Sequence, residues 1–308
     1  MVLQLLATGT AMGFVYCLVA IEYSLLWNSC QLLNFAHTQL IMLGAYVFGG
    51  TFIVGLGMSY FLGAISAIGV MLLVSLVLAI CVFIPLKDMP RLYAIIATLM
   101  VGTIITESCN FIWGYFPISL TGYLTGIIRI GKVVLARVYV YIIAVAIIVI
   151  IALGAFMRFT KPGKAMRCVA ENKSMSAMVG INVPANMMLT IAISCVICAI
   201  VGILIVPLVS ISTTMSSTIA TKGFVAAVFG GFGSIPGAIV GGILLGIIEN
   251  LATIYVDSVY KDVISFFVLV IVILIKPSGI CGASKLSLRG RKRQLFKTRN
   301  KGRDYDES

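Results

Sequence analysis

Apolar residues run through this chain in blocks too long for a soluble fold, and polar residues are confined to short breaks between them. A helix needs about 20 apolar residues to cross roughly 30 Å of hydrocarbon. Windows of that kind fall near residues 3–27, 31–55, 59–84, 92–114, 138–157, 187–211 and 260–276. An eighth block, Ile219 to Ile254, is 36 residues long. As one helix it would stretch about 54 Å, more than a bilayer accepts. At its centre Gly230, Gly231, Gly233, Pro236 and Gly237 surround Ser234, a cluster that stops a helix and offers positive-φ positions for a turn. The pattern predicts an all-α polytopic membrane protein of about eight apolar blocks, with 219–254 folded as a helical hairpin or broken helix that bends at 230–237. Residues 1–284 form the transmembrane domain and 285–308 a tail.

Charge turns this pattern into a topology. Of the 22 Lys and Arg residues, nine fall between Lys285 and Arg303 and five between Arg158 and Lys173. Short basic loops stay cytoplasmic, which puts the 158–186 loop and the basic tail on one side. With 187–211 and 260–276 contributing one crossing each, the 219–254 block must enter and leave by the external face or cross twice as two short helices. Counting backwards places the Pro85–Arg91 loop inside and the 115–137 segment outside, although that segment carries Arg129, Lys132 and Arg137. Met1 to Trp27 has no basic leader region and no small-residue cleavage site, so it reads as a retained spanning helix.

Composition narrows the function classes. The chain is 61% apolar and 10% charged with a mean hydropathy of +1.14, against roughly 25% charged residues in a soluble domain. Its net charge of +12 sits in the loop and tail and not on a basic face interleaved with aromatics, so it suits anionic lipid headgroups and not nucleic acid. The eight cysteines lie mostly in apolar runs, and Cys195 and Cys198 have neither a second pair nor a histidine at zinc spacing. They read as small buried hydrophobes. No G-x-x-x-x-G-K-[ST] loop occurs, so the chain does not bind ATP by that means. Nothing calls for a cofactor or a metal, and a single His without a nucleophile-base-acid arrangement argues against an intramembrane enzyme.

Several groups stand out inside the apolar windows. Glu22, Glu107, Glu249 and the single His37 are ionisable, and a charge at a helix centre costs on the order of 2.5–3.5 kcal/mol on insertion scales. They are expected to face protein or water, either hydrogen-bonded between helices or lining a transport path. Asn34-Phe35-Ala36-His37-Thr38-Gln39 is a polar hexad in an apolar window; it marks an unwound stretch along a cavity or a set of interhelical hydrogen bonds. Gly233, Gly237 and Gly241 recur every four residues, as do Gly242 and Gly246, and give flat faces for close helix packing. In the cytoplasmic loop Met166, Val169 and Ala170 share one helical face, while Lys164, Arg167 and Glu171 share the polar one. Ser174 reads as the N-cap of a second short helix, with Met175, Met178 and Val179 on its apolar side and Gly180 at its C-terminal cap. Such helices need a surface: the protein's own helix ends, lipid, or a cytoplasmic partner.

These stretches together resemble the membrane permease of branched-chain amino acid ABC importers, a group related to sugar permeases of the ribose type. The resemblance covers nearly residues 5–284. It rests on Leu33-Asn34-Phe35-Ala36-His37 followed by Met42-Leu43-Gly44-Ala45-Tyr46, on Thr160 to Arg167 with Val179-Gly180-Ile181-Asn182-Val183, on Lys222 to Ala238, and on Lys276 to Gly282. Thr38 stands where the family has glycine, Glu22 where it has a small or apolar residue, and Glu107 where it has an amide. The resemblance implies a permease subunit of the plasma or inner membrane that does no covalent chemistry. It also implies that Gly163, Lys164, Met166, Arg167, Glu171, Met178 and Gly180 belong to a loop docking on ATPase subunits, that a second permease completes the pore, and that an external binding protein delivers substrate. Asn34, His37, Glu107, Gly230, Gly233, Pro236 and Glu249 are the candidates for the path. Branched-chain or other small amino acids are the expected cargo; urea or short amides, and a self-contained secondary transporter or channel using the carboxylates, are the alternatives.

Overall fold

The computed structural model describes residues 2–30, 34–86, 89–120, 122, 124, 126–130, 133–254, 260–276 and 279–281. The basic tail lies outside the described residues. In chain order the elements are α1 (Val2–Cys30), α2 (His37–Ala45, continued by a π-helical stretch Tyr46–Gly55), α3 (Tyr60–Leu78, continued by a π-helical stretch Ala79–Phe83), the one-turn α4 (Ile84–Leu86), α5 (Arg91–Trp113), the antiparallel pair β1 (Ile127–Ile130) and β2 (Val133–Ala136), and α6 (Arg137–Phe159). Two short helices follow, α7 (Lys161–Glu171) and α8 (Lys173–Met178), and then α9 (Val183–Ile205), α10 (Ser217–Gly230), α11 (Ile235–Ala252) and α12 (Lys261–Ile275). Among the described residues seven helices are long and apolar enough to cross a membrane. The chain is an all-α multi-pass membrane protein.

The 219–254 block is a hairpin, as its glycines predict. Gly231 and Gly233 take φ of +111° and +88°, a region open to glycine at no steric cost. Ser234 then caps α11 by accepting from the Gly237 N–H at 3.2 Å, with Pro236 in the first turn. The two arms pack so tightly that a Cβ on Gly241 would sit 2.9 Å from the Gly230 Cα.

Helix α1 lies along this hairpin, parallel to α10 and antiparallel to α11. A Cβ on Gly9 would meet the Gly246 carbonyl at 2.9 Å, one on Gly13 the Ile243 Cα at 2.9 Å, and one on Gly242 the Cys17 Cα at 2.5 Å. On the other arm Tyr23 meets Phe224 and Trp27 meets Phe232, both edge to face. Around this centre α9 buries most of its length, whereas α3, α5 and α12 expose many Leu, Ile, Val and Phe side chains, the faces that suit lipid.

The bend sits at the same end of the bundle as α7 and the chain after α12. A cavity of about 540 Å³ separates Gly233–Pro236 from Met166–Glu171, and the Ile280 and Cys281 N–H groups donate to the Phe229 and Gly230 carbonyls at 3.0 and 2.9 Å. That is the arrangement parity requires if the 158–186 loop and the tail are both cytoplasmic. At the opposite end Ile118 and Ile211 exchange two backbone hydrogen bonds of 2.9 and 2.8 Å, so the stretches around these two residues share a side.

The boundaries of two windows shift, the helix of 31–55 starting at His37 and that of 187–211 moving at both ends. Asn182 caps α9 by accepting from the Ala185 N–H at 3.0 Å, so the helix starts at Val183 instead of 187; it ends at Ile205 because Pro207 cannot continue it. The paired β1 and β2 and the two π-helical stretches have no counterpart in the apolar pattern.

Gly242→Leu is expected to force α1 and α11 apart at a cost of about 1–3 kcal/mol, the range for overpacking a tight interface. It should lower the thermal midpoint of the detergent-solubilised protein. Gly69→Leu, where no atom lies within 4 Å of the added Cβ, should leave the midpoint nearly unchanged.

Candidate functional site

Residues 34–36 are not helical, and α2 begins at His37. The Asn34 Oδ1 accepts from the Ala36 N–H at 3.0 Å, an Asx turn that competes with helix, and the Phe35 N–H donates to Thr98 Oγ1 of α5 at 3.3 Å. The break opens on a cavity of about 180 Å³ lined by Tyr23, Asn34, Phe35, Thr38, Thr221 and Phe224. The Ser216 hydroxyl ties α10 to this level by donating to the Thr38 carbonyl at 2.7 Å. Aromatic walls with an amide and two hydroxyls at the edge suit a small ligand that has an apolar body and a polar end.

Behind the cavity three helices bring ionisable groups together. Glu22 of α1, His37 of α2 and Cys198 of α9 are all fully buried. The His37 Nδ1 lies 2.6 Å from Glu22 Oε2 and 3.4 Å from Cys198 Sγ. The Ser194 hydroxyl, one turn before Cys198, donates to Glu22 Oε1, and the Tyr23 ring rests on the imidazole with centroids 4.5 Å apart. Glu22 therefore faces protein, not lipid, in line with the cost of a bare charge. Nearer the end of α1, Ser29 meets Asn186 and Thr190 of α9 through hydrogen bonds of 3.3 and 2.8 Å.

Glu249 has a partner that the apolar pattern conceals. Lys222 lies within the 219–254 block, and its ammonium sits 2.6 Å from Glu249 Oε1 and 2.9 Å from Asp262 Oδ1. One cation thus joins α10, α11 and α12. Lys222 and Glu249 are buried while Asp262 is exposed, and the Tyr16 ring lies under the ammonium at 5.9 Å. Lys222 belongs with Glu22, Glu249 and His37 among the ionisable groups of the interior, and the missing signal was its position 27 residues before a glutamate on the folded-back arm.

The remaining candidates fall in three places. Glu107 lies on the exposed face of α5, in an open depression with Thr103, Ser108 and Phe111, apart from the Asn34 cavity; the Asn110 amide approaches its carboxylate at 3.5 Å. Gly230, Gly233 and Pro236 form the hairpin bend, where the Asn28 amide donates to the Gly233 carbonyl at 2.7 Å. In α7, Thr160 is the N-cap, accepting from the Gly163 N–H at 3.0 Å. Met166 and Val169 are buried, whereas Lys164, Arg167 and Glu171 point outward. A Cβ on Gly163 would lie 2.6 Å from the Met157 Cα, so glycine lets α7 fold back against α6. The N-cap of α8 is Asn172, not Ser174: its Oδ1 accepts from the Met175 N–H at 3.0 Å, because the break between the two helices comes two residues earlier than the serine suggests. Gly180, at φ +89°, closes α8 as expected.

A bundle of spanning helices with a glycine hairpin at its centre, a broken helix opening on a small cavity and two short helices at one end defines a multi-pass membrane permease. Residues 5–273 match the family described as the branched-chain amino acid transport system permease component, and the chain belongs to that family. It is 30% identical over 293 residues to the high-affinity branched-chain amino acid transport system permease protein LivH of Salmonella typhimurium, covering 91% of this chain and 95% of the relative. The Escherichia coli K12 protein of the same name matches at the same identity and coverage. BraD of Pseudomonas aeruginosa, also a branched-chain amino acid transport system permease, is 29% identical over the same shares. The solved structure of PsaBC from Streptococcus pneumoniae in complex with Fab is similar at a TM-score of 0.48 and 14% identity over 89% of this chain and 91% of that one, a likeness too slight to carry an argument.

Replacing Lys222 by Met strands the Glu249 carboxylate and should destabilise the protein by about 3–5 kcal/mol, the range for breaking a buried pair. The double change Lys222→Met with Glu249→Met should recover most of that loss. Unfolding of the solubilised variants, followed by intrinsic fluorescence, measures both.

Proposed function

We propose that this chain is the membrane-embedded subunit of an ATP-driven ABC importer for branched-chain or other small amino acids. It works with separate ATPase subunits, a second permease of the same kind and an external binding protein. The observation that carries this reading is the α7–α8 segment. Helix α7 is tied to the bundle through Met166, Val169 and the Gly163 contact, while α8 leaves Met175, Met178 and Val179 exposed at 57%, 74% and 82%. Apolar side chains presented by a polar segment outside the spanning helices want a groove to fill, the helix-in-groove mode of docking. The names of the relatives, branched-chain amino acid permeases, support that cargo class.

In this reading, movement of the ATPases pushes α7. Helix α7 packs against α6 and α1, so the push passes to those helices, and Arg167, Ala170 and Glu171 face the hairpin bend across the 540 Å³ cavity. Helices around Asn34 and His37 then rock to alternate access. The aromatic cavity accepts an aliphatic side chain, with Asn34, Thr38 and Thr221 beside the polar end of the substrate. Hydrolysis of ATP belongs to the partners, and the permease transmits motion.

The test is capture of ATPase subunits from solubilised membranes by native protein, by Met178→Asp with Val179→Asp, and by Arg167→Glu with Glu171→Lys. At least a tenfold loss of capture and of ATP-dependent uptake in the variants is expected. Undiminished capture would overturn the docking assignment, and uptake by the purified chain alone in liposomes would point to a self-contained transporter.

A further inference from the structure

We propose that Glu22, His37 and Cys198 form a binding site for one borderline-soft divalent cation, with Zn²⁺ as the reference ion. The carboxylate, imidazole and thiol donor atoms lie within 4.8 Å of one another, all buried. Two of them converge on the same nitrogen: Glu22 Oε2 at 2.6 Å and Cys198 Sγ at 3.4 Å both approach His37 Nδ1. One ring nitrogen with a single proton or lone pair cannot satisfy both, and Glu22 Oε2, although close to that nitrogen, is buried without a hydrogen-bond partner. A Glu–His pair alone therefore accounts for only part of the arrangement, whereas a cation placed between the three donors uses all three.

Charge and geometry both fit. A carboxylate and a thiolate carry two negative charges, so with a neutral imidazole they cancel a dication and leave a neutral site in the interior of the bundle, where net charge is costly. Carboxylate, imidazole and thiolate are all ligand types that Zn²⁺ accepts in tetrahedral sites. At metal–ligand distances of about 2.0–2.3 Å, tetrahedral donors stand roughly 3.4 Å apart. The Cys198–His37 separation is already 3.4 Å; the Glu22 oxygen, 2.6 Å from the same nitrogen, has to draw back from it by less than about 1 Å while staying close to the Cys198 sulfur, all three donors lying within 4.8 Å of one another. The Ser194 hydroxyl on Glu22 Oε1 supplies the outer hydrogen bond that orients a ligating carboxylate. Tyr23 lines the 180 Å³ cavity and also covers the imidazole, so displacing its ring opens a way in. A bound cation would pin α1, α2 and α9 together where α2 begins, and so would restrain the movement that opens the cavity.

Tag-free protein in detergent, stripped with a chelator, is titrated with Co²⁺. One equivalent per chain is expected, with a thiolate-to-cobalt absorption in the near ultraviolet and the visible bands of four-coordinate cobalt, both abolished by Zn²⁺. Cys198→Ser and His37→Gln should each weaken binding at least tenfold, and Cys195→Ser, one turn away, should not. Absorption-edge scattering on zinc-loaded native protein needs no variant: one sulfur at about 2.3 Å with nitrogen or oxygen neighbours at about 2.0–2.2 Å is expected. Absence of the sulfur neighbour, absence of binding, or equal affinity in Cys198→Ser and His37→Gln would overturn the proposal. None of these outcomes depends on amino acid uptake or on ATPase docking.

Discussion

The contact on which the rest of this bundle depends is backbone against backbone. Lipid tails are as apolar as leucine side chains, so helices inside a bilayer gain little by hiding apolar surface from their surroundings and associate by close packing instead. Here α1 lies along the α10–α11 hairpin at glycine positions on both sides of the seam: Gly9 and Gly13 on α1, Gly242 and Gly246 on α11. The hairpin itself closes through Gly230, Gly237 and Gly241. Once these three helices are fixed, the polar interior follows. Glu22 projects from α1 towards α9, Tyr16 reaches the Lys222 ammonium, and Asn28 meets the bend.

Polar groups in this interior occur as linked sets, each joining several elements. Ser194, Glu22, His37 and Cys198 connect α1, α2 and α9. Lys222, Glu249 and Asp262 connect α10, α11 and α12. Each set costs desolvation and returns definition, because helices that could slide past one another on glycine faces are held in one register. Outside the spanning helices, α7 packs against α6, α1 and α9, and α8 against α7 and α9.

Much of the fold was legible because length and apolarity are one-dimensional properties. Eight blocks, a forced fold-back at 230–237 and a polar loop at 158–186 follow from counting residues and locating glycines. The π-helical stretches of α2 and α3 were not legible, since a change from four to five residues per hydrogen-bonded turn leaves an all-apolar run looking the same. Nor was the pairing of β1 with β2, which rests on a register between short apolar runs. At the site, Asn34 and His37 announced themselves by being polar in an apolar window. Their partners did not: Cys198 is one of several cysteines in apolar helices, and Lys222 is adjacent to the glutamate it neutralises only after the hairpin has folded. Asn172 displaced Ser174 as a cap for a local reason, both being good capping residues within two positions of each other.

The two hydrogen bonds from Ile280 and Cys281 to Phe229 and Gly230 tie the chain beyond α12 to the hairpin. They occupy carbonyls at the end of α10 that the helix itself cannot satisfy, at the turn gripped by Asn28. A polypeptide ending at Ile275 would retain every helix described above and still lose the clasp on that turn. The short stretch after the membrane is thus a keystone of the bend, and sequence changes there bear on the same joint as changes in Gly233 or Ser234, although some 45 residues of chain separate them.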